Sequence, residues 1–253
     1  MQPGLYIVGT PIGNLGDISM RALDTLRGAD YILAEDTRHT RHLLTHYQIC
    51  SRLVSCHRFN ESSRAHFVIS QVQAGKICAL VTNAGMPGVS DPGARLARAC
   101  REAGIYLTVI PGPSAVTTAL ALSGYGGGGY AMEGFLPRKA GARRRRLETL
   151  LTTGLPVVLY ESPYRLVALL EELRELMPLR QICAARELTK LNEECRWGTP
   201  EELLAHFAEH FAGRRLKGEF VLVIAPEDAK AARDEVDKKH KPDRLNHERF
   251  TEI

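Results

Sequence analysis

The sequence predicts an α/β protein made of two α/β domains with mainly parallel sheets. Short apolar runs alternate with amphipathic stretches of about 8 to 15 residues, which is the pattern of successive βαβ units. The alternation is interrupted at residues 123–130, which read SGYGGGGY. Because four successive glycines are costly inside a helix or strand, we expect a connection between two domains there.

The elements follow in order along the chain. Strands are predicted at short, mainly apolar runs, at 5–8, 31–34, 77–81, 106–110, 157–160, 181–185 and 220–224. Helices are predicted where apolar residues recur at helical spacing, at 21–27, 62–74, 94–103, 114–122, 163–176 and 200–211.

These elements define four segments. We expect an N-terminal α/β domain at 1–123, a glycine-rich linker at 124–130, a C-terminal α/β domain at 131–226 and a polar tail at 227–253. The tail has almost no large apolar residues, so it cannot bury enough surface to fold alone.

Composition narrows the class of protein. Hydrophobic residues make up 44% and charged residues 25%, as in soluble globular proteins. No apolar run reaches about 18 residues, so no membrane span is expected. The first strand begins near Leu5 and leaves no room for a signal peptide, which favours a cytoplasmic location. The six cysteines include no C-x-x-C pair, which predicts reduced thiols and no metal site.

Three strands of the first domain are followed by loops rich in glycine and proline, at 9–14, 82–93 and 111–115. Carboxyl ends of parallel strands meet at one edge of a sheet, where open α/β sheets bind ligands. The loops therefore predict a shared cleft. Gly9 and Gly13 lack the G-x-G-x-x-G spacing, so the cleft is not predicted to bind a dinucleotide.

Eight segments carry a resemblance to a known family. They read, in order, LYIVGTPIGNLGD, AEDTRHTRHLL, NAGMPGVSDPG, PGPSA, EGFLPRK, YESPYR, ARELTK and KGE. The chain resembles the family of ribosomal RNA small subunit methyltransferase I, a branch of the tetrapyrrole methylases, or class III methyltransferases. The similarity extends from residue 5 to about residue 224.

This resemblance implies S-adenosylmethionine bound in a cleft between two α/β domains, and a homodimer. It also implies methyl transfer to the ribose 2′-oxygen of a cytidine in 16S rRNA of the small ribosomal subunit. The cofactor-binding residues that it implies are Pro11, Ile12, Gly85, Met86, Val89, Ser114 and Ala115 from the first domain, and Glu161, Leu188, Gly218 and Glu219 from the second.

The methyl acceptor requires a different set of side chains. A ribose hydroxyl is a poor nucleophile, so the enzyme must align it and help to remove its proton. A lysine in a partly dry cleft can lose its charge and act as a base. The candidate catalytic residues are Glu187, Lys190, Glu35, Asp36 and Asn14.

Two basic clusters are candidate RNA-binding surfaces. The first contains Arg38, His39 and Arg41, and the second contains Arg138, Lys139, Arg143, Arg144, Arg145 and Arg146. Cations of this kind contact phosphates and position a nucleic acid without reading its sequence. The arginine run is equally compatible with a solvated helix face.

The chain departs from the family pattern at two motifs. Asn83 and Met86 occupy the positions of an acid and a threonine in the usual SDAGTP, and the usual HEHNE becomes HRFNE at residues 57–61. Two alternatives to the rRNA enzyme stay open. One is a small-molecule, tetrapyrrole-type methyltransferase of the same fold, although the arginine run and the EDTRHT and ARELTK motifs disfavour it. The other, motivated by Asn83 and Met86, is a catalytically impaired RNA-binding homologue.

Overall fold

The computed structural model describes residues 1–210 and 216–227. The predicted tail lies outside the described residues from residue 228 onward, and so does residue 211, the predicted end of the last helix. No helix within the described ranges is long and apolar enough to cross a membrane.

Ten strands and eight α-helices make up the described residues. The strands are β1 (Gly4–Val8), β2 (Tyr31–Ala34), β3 (Arg52–Ser55), β4 (Ile77–Val81), β5 (Leu107–Ile110), β6 (Ala131–Phe135), β7 (Val157–Glu161), β8 (Ile182–Arg186), β9 (Glu194–Gly198) and β10 (Phe220–Ile224). The helices are α1 (Met20–Gly28), α2 (Thr37–His46), α3 (Glu61–Gln73), α4 (Ala94–Glu102), α5 (Ala115–Ser123), α6 (Ala140–Leu151), α7 (Leu166–Leu176) and α8 (Pro200–His210). A short 3₁₀ helix covers Leu15–Asp17.

Every predicted strand and helix is present, and the α/β class with mainly parallel sheets is confirmed. Sequence reasoning missed β3, β6, β9, α2 and α6. β3, β6 and β9 are edge strands, which bury little and carry polar residues. α2 and α6 bury only three and two residues, so their arginines and histidines conceal the helical period.

The first sheet has the order β3-β2-β4-β1-β5, and all its strands are parallel. Side chains alternate between its two faces. Tyr6 and Val8 of β1 pack in one core cluster with residues of α1 and α2, whereas Leu5 and Ile7 pack in another with residues of α3 and α4. Both faces are therefore covered by helices, as expected for a parallel sheet.

This topology creates a switch point between β1 and β4. The two strands are neighbours, but β1 leads to α1 on one face and β4 leads to α4 on the other. Loops that leave in opposite directions open a crevice at the carboxyl ends of such strands, where α/β proteins bind ligands. The fold alone therefore locates a candidate site.

The second sheet has the order β6-β7-β10-β8-β9, with β6 and β7 parallel. By compactness the chain divides into a first unit of Met1–Leu122, Ala185–Cys195 and Gly218–Val221, and a second unit of Ser123–Ala184, Arg196–Lys217 and Leu222–Ile253. The predicted domain boundaries stay a prediction, because this division follows packing and not chain order.

Candidate active site

A two-residue bridge joins the loops that follow β1 and β4. The backbone N–H of Thr10 donates to the carbonyl of Gly85 at 2.9 Å, and the N–H of Gly85 donates back at 3.1 Å. The buried Thr10 hydroxyl also donates to the Thr82 carbonyl at 3.2 Å. These bonds fix both loops at the switch point.

The loop after β5 packs on the same place through two glycines. A Cβ added to Gly9 would lie 2.7 Å from Cα of Gly112 and 2.6 Å from Sδ of Met86. Real Cβ atoms do not approach backbone so closely, so Gly9 and Gly112 are needed for the contact. The three loops predicted to share a cleft are therefore brought together.

Most of the predicted cofactor residues of the first domain line this convergence. Pro11 and Ile12 are buried directly after Thr10, and a Cβ built on Gly85 would lie 3.4 Å from Cγ2 of Ile12. Ser114 and Ala115 are half-buried at the start of α5. Val89 differs from the others because its side chain is 57% exposed.

A fourth segment, at 187–190, packs against the first loop. The backbone N–H of Asn14 donates to the hydroxyl of Thr189 at 3.0 Å. A Cβ on Gly13 would lie 2.5 Å from Cγ of Lys190 and 2.9 Å from the carbonyl of Leu188, which is itself buried. The structure therefore brings the ARELTK motif to the loop after β1.

Lys190 lies between two carboxylates. Its Nζ is 2.8 Å from Oε1 of Glu187 and 2.8 Å from Oε2 of Glu219. Burial alone would lower the pKa of Lys190, but the hydrogen bonds to the two glutamates outweigh burial and raise it. Burial would likewise raise the pKa of Glu187, whereas the bonds from Lys190 and from the Glu219 backbone lower it overall. Lys190 is held as a cation, in contrast to the base expected from the sequence.

The backbone at this cluster is strained. Glu187 and Thr189 have φ values of 51° and 65°, which are unusual for residues with a side chain and costly for β-branched threonine. Gly218, at φ 102°, faces Glu187 so closely that a Cβ on it would lie 2.6 Å from Cγ of Glu187. Strain of this kind persists where the surroundings impose it, often at functional sites.

The carboxyl end of β2 supplies Glu35 and Asp36. Oε2 of Glu35 accepts a hydrogen bond from the Thr82 hydroxyl at 2.9 Å. Asp36 caps α2 by accepting from the N–H of Arg38 at 2.8 Å, and the bonds from the Arg38 guanidinium and N–H lower the pKa of Asp36 to about 2. The side chain of Asn14 also serves as a cap, accepting from the N–H of Gly16 at 3.0 Å.

Asn83 connects β4 with β2. Its Oδ1 accepts a hydrogen bond from the backbone N–H of Asp36 at 3.2 Å. A carboxylate at the same position could accept this bond equally well, and the bond needs only an acceptor oxygen. The amide therefore preserves the contact between the two strand ends.

Sequence reasoning missed two acidic residues that act on the 82–93 loop. Burial and then the charge of Glu35 raise the pKa of Asp91, while a hydrogen bond with Thr82 partly offsets both. Oε1 of the buried Glu61 accepts from the N–H groups of Gly93, Arg95 and Leu96 at 2.8–3.0 Å. Glu61 thereby anchors the far end of the loop to α3, and only its place in HRFNE marked it in the sequence.

Glu161 lies in the second unit, at the end of β7, with only 2% of its surface exposed. Its Oε1 accepts from the N–H of Ser162 at 2.8 Å and lies 3.3 Å from Nε of Arg165. Its Oε2 is buried without a partner among the described residues. Burial raises the pKa of this carboxyl group above its usual value.

The predicted RNA-binding residues fall into two groups. His39, Arg41, Arg138, Lys139 and Arg145 are exposed, and no described residue forms an ion pair with them. The others are paired: Arg38 with Asp36, Arg143 with Glu172, Arg144 with Glu148 and Glu175, and Arg146 with Glu133. Across the described ranges, no group of His, Cys, Asp and Glu has a metal-binding arrangement.

Comparison with known proteins identifies the family. Residues 4–204 match the model of the Tetrapyrrole (Corrin/Porphyrin) Methylases. The chain belongs to the tetrapyrrole methylase family. The predicted resemblance to this family is thereby confirmed, and the chain is a member of a family of methylating enzymes.

Three relatives of the chain carry the same name. A protein of Synechocystis sp. named ribosomal RNA small subunit methyltransferase I is 45% identical over 228 residues, covering 88% of this chain and 80% of its own. A protein of the same name from Thermotoga maritima is 43% identical over 221 residues, covering 87% and 97%. The corresponding Escherichia coli O157:H7 protein is 44% identical, covering 88% and 78%.

Solved structures share the fold at lower identity. A diphthine synthase gives a TM-score of 0.66 at 14% identity, covering 87% of this chain and 89% of its own. A uroporphyrin-III-C-methyltransferase from Thermus thermophilus gives 0.59 at 22% identity, covering 88% and 94%. These likenesses establish the fold alone.

Proposed function

We propose that the protein transfers the methyl group of S-adenosylmethionine to the ribose 2′-oxygen of a cytidine in 16S rRNA. It acts on the small ribosomal subunit in the cytoplasm, as a homodimer and without a metal ion. Support comes from the shared name of relatives that are 42–45% identical over most of this chain. The observation that carries the proposal is that the loops after β1, β4 and β5 meet, and that the first of them also packs against Lys190 of the Glu187–Lys190–Glu219 cluster.

The residues of this convergence suit S-adenosylmethionine. The cofactor has no phosphate, so it needs backbone N–H and C=O groups for its polar ends and apolar walls around its sulfonium. Ile12, Met86 and Leu188 supply apolar side chains for those walls. When bound, the cofactor supplies an electrophilic methyl group and leaves as a neutral thioether.

The Lys190 cluster supplies the charged groups that activate the ribose hydroxyl. A hydroxyl oxygen becomes nucleophilic as its proton leaves, and a nearby cation stabilises the developing negative charge. Lys190 is that cation, because its bonds to Glu187 and Glu219 keep it protonated. Glu187 accepts the ribose proton and passes it to water. The strained backbone at Glu187 and Thr189 holds both groups against the first loop.

The other candidates of the catalytic set have supporting roles. Asp36 and Asn14 are occupied as helix caps, so they shape the strand ends and do not accept a proton. Glu35 fixes Thr82, whose backbone accepts from Thr10 at the bridge between the loops.

Cofactor binding and methyl transfer test the proposal together. Calorimetry with EDTA present is expected to show binding of S-adenosylmethionine or S-adenosylhomocysteine. Radiolabelled methyl groups are expected to appear in 16S rRNA of unmethylated small subunits.

Lys190→Met is expected to lower kcat by about 10² to 10³, as removal of one charge-stabilising group does, and to leave cofactor affinity within about threefold. If the wild-type protein bound the cofactor only after a divalent ion was added, the proposal that no metal ion is needed would be contradicted.

Asn83→Asp separates the active enzyme from the impaired homologue. The observed bond from Asp36 needs only an acceptor, so we expect the substitution to change the rate by less than about tenfold, or 1.4 kcal/mol of barrier. If the missing carboxylate were the base, turnover would rise by about 10² to 10⁴. A gain of that size would support an impaired RNA-binding homologue.

A further inference from the structure

The turn at 57–60, between β3 and α3, exposes an aromatic ring. Phe59 is 91% exposed, and among the described residues its one ring partner is His57, which meets it edge-on at 6.0 Å between centroids. Most of the phenyl ring therefore remains accessible to a ligand. The turn is also one of the places where this chain departs from its family motif, with Arg58 and Phe59 in HRFNE.

The turn that carries Phe59 is held by several hydrogen bonds. Oδ1 of Asn60 accepts from the N–H of His57 at 2.8 Å, and the N–H of Asn60 donates to the His57 carbonyl at 3.0 Å. The Asn60 amide also donates to the Ser55 carbonyl at 3.2 Å. A ring on a fixed turn loses little conformational entropy on binding, unlike one on a mobile loop.

Phe59 lies at the carboxyl edge of the first sheet, beside the candidate active site. β3 is the neighbour of β2, and the N–H of Cys56 donates to the Ala34 carbonyl, one residue before Glu35. Two residues after Phe59, Glu61 binds the backbone of Gly93 at the end of the 82–93 loop. The turn is therefore tied on one side to the β2 end and on the other to the proposed cofactor loop.

Exposed basic residues precede the ring in the chain. Arg58 is exposed next to Phe59, and no described acidic residue forms an ion pair with it. α2, which leads from the end of β2 to β3, carries exposed Arg41 and His39 and contains no acidic residue. An accessible aromatic ring beside unpaired cations is complementary to a nucleotide, because the base stacks and the phosphate is neutralised.

We propose that Phe59 is a stacking platform for a base of the RNA substrate, and that Arg58 contacts an adjacent phosphate. The identity of the RNA as 16S rRNA rests on the proposed function, whereas the stacking itself needs only a single-stranded segment. Phe59 then orients the strand beside the β2 and β4 ends, where Glu35 and Asn83 lie. A lone exposed phenylalanine is common on protein surfaces, but here a fixed turn and unpaired cations accompany it.

Binding of a short cytidine-containing RNA and of purified small subunits tests the proposal. Phe59→Ala is expected to weaken both by about tenfold, within the range for loss of one stacked base. Phe59→Tyr should retain most of the affinity because it keeps the ring. Phe135→Ala is the matched control, since Phe135 is an exposed phenylalanine with a similar ring contact, to Tyr160 at 5.6 Å. That variant should bind RNA as the wild type does.

Phe59→Trp gives a direct signal. The chain has one tryptophan, Trp197, so the substitution adds a second emitter at the turn. Excited at 295 nm, the added emission should be quenched as the RNA stacks, and the wild type should show no matching change. An unquenched variant that still binds RNA would overturn the proposal.

Two further outcomes separate this proposal from its alternatives. If Phe59→Ala keeps wild-type RNA affinity while the wild type methylates small subunits, stacking is wrong and the proposed function stands. If the wild type transfers no methyl group but Phe59→Ala still loses RNA affinity, stacking stands without that function. If sedimentation shows that Phe59→Ala dissociates a dimer, the ring belongs to a contact between two copies, and the stacking proposal falls.

Discussion

The two basic helices, α2 and α6, differ more in structure than in sequence. Both present arginines that the sequence assigns to RNA. In α6, three arginines of the four-residue run are ion-paired to acidic residues of β6, α6 and α7. In α2, Arg38 is paired with Asp36, and Arg41 has no acidic partner among the described residues. The density of arginine along a chain therefore does not measure the positive charge available to a ligand.

The largest contrast should appear in stability. Arg143 and Glu172 have side chains only 13% and 10% exposed, with Nε and Oε2 2.5 Å apart. Arg143→Ala leaves a buried carboxylate without its partner, which costs about 3–5 kcal/mol of unfolding free energy. Urea denaturation measures the loss, and exposed Arg145→Ala is the control, expected to change little. Equal losses in the two variants would mean that the Arg143 pair is not structural.

A smaller contrast should appear in the salt dependence of RNA binding. Arg41→Gln and Arg145→Gln remove unpaired cations, and each should make the slope of log K against log salt shallower by about 0.7, as for one lost phosphate contact on a single strand. Arg146→Gln should change the slope less, because Glu133 already binds that guanidinium through both oxygens. Titrations at several salt concentrations measure the slopes. A larger effect at Arg146 than at Arg41 would contradict the expectation that the ion pair with Glu133 withdraws Arg146 from RNA.

The smallest contrast concerns helix capping and pH. Asp36 caps α2, whereas Lys139 at the start of α6 provides no side-chain cap. The pKa of Asp36 is lowered to about 2, below its usual value near 3.8, so its contribution to stability is present above pH 4 and is lost as pH falls towards 2. The stability difference between wild type and Asp36→Asn should shrink over that window in acid denaturation. A difference independent of pH would exclude the charge as its source.

The local sequence predicted the buried strands and the loops that follow them, because both have a distinctive residue composition. The runs at 5–8 and 77–81 are apolar throughout, and the glycines after them mark loops that approach one another. Pairing between distant residues leaves no such signal. Nothing in the local sequence indicates that Arg143 meets Glu172, that Lys190 lies between two carboxylates, or that Glu61 binds the start of α4. These contacts depend on tertiary packing, and they decide which charged residues are free to act.

The contact between Gly9 and Gly112 limits how this protein can change over generations. Each glycine excludes a side chain because the other's backbone lies within 3 Å of where a Cβ would be. A clash with a side chain can be relieved by a second substitution, but no substitution removes a backbone atom. A substitution at Gly9 or Gly112 therefore cannot be compensated by a substitution at the other. A library of variants with this backbone gains nothing by varying either position. Divergence must proceed through the residues around the two glycines, such as Met86, whose sulfur lies against Gly9.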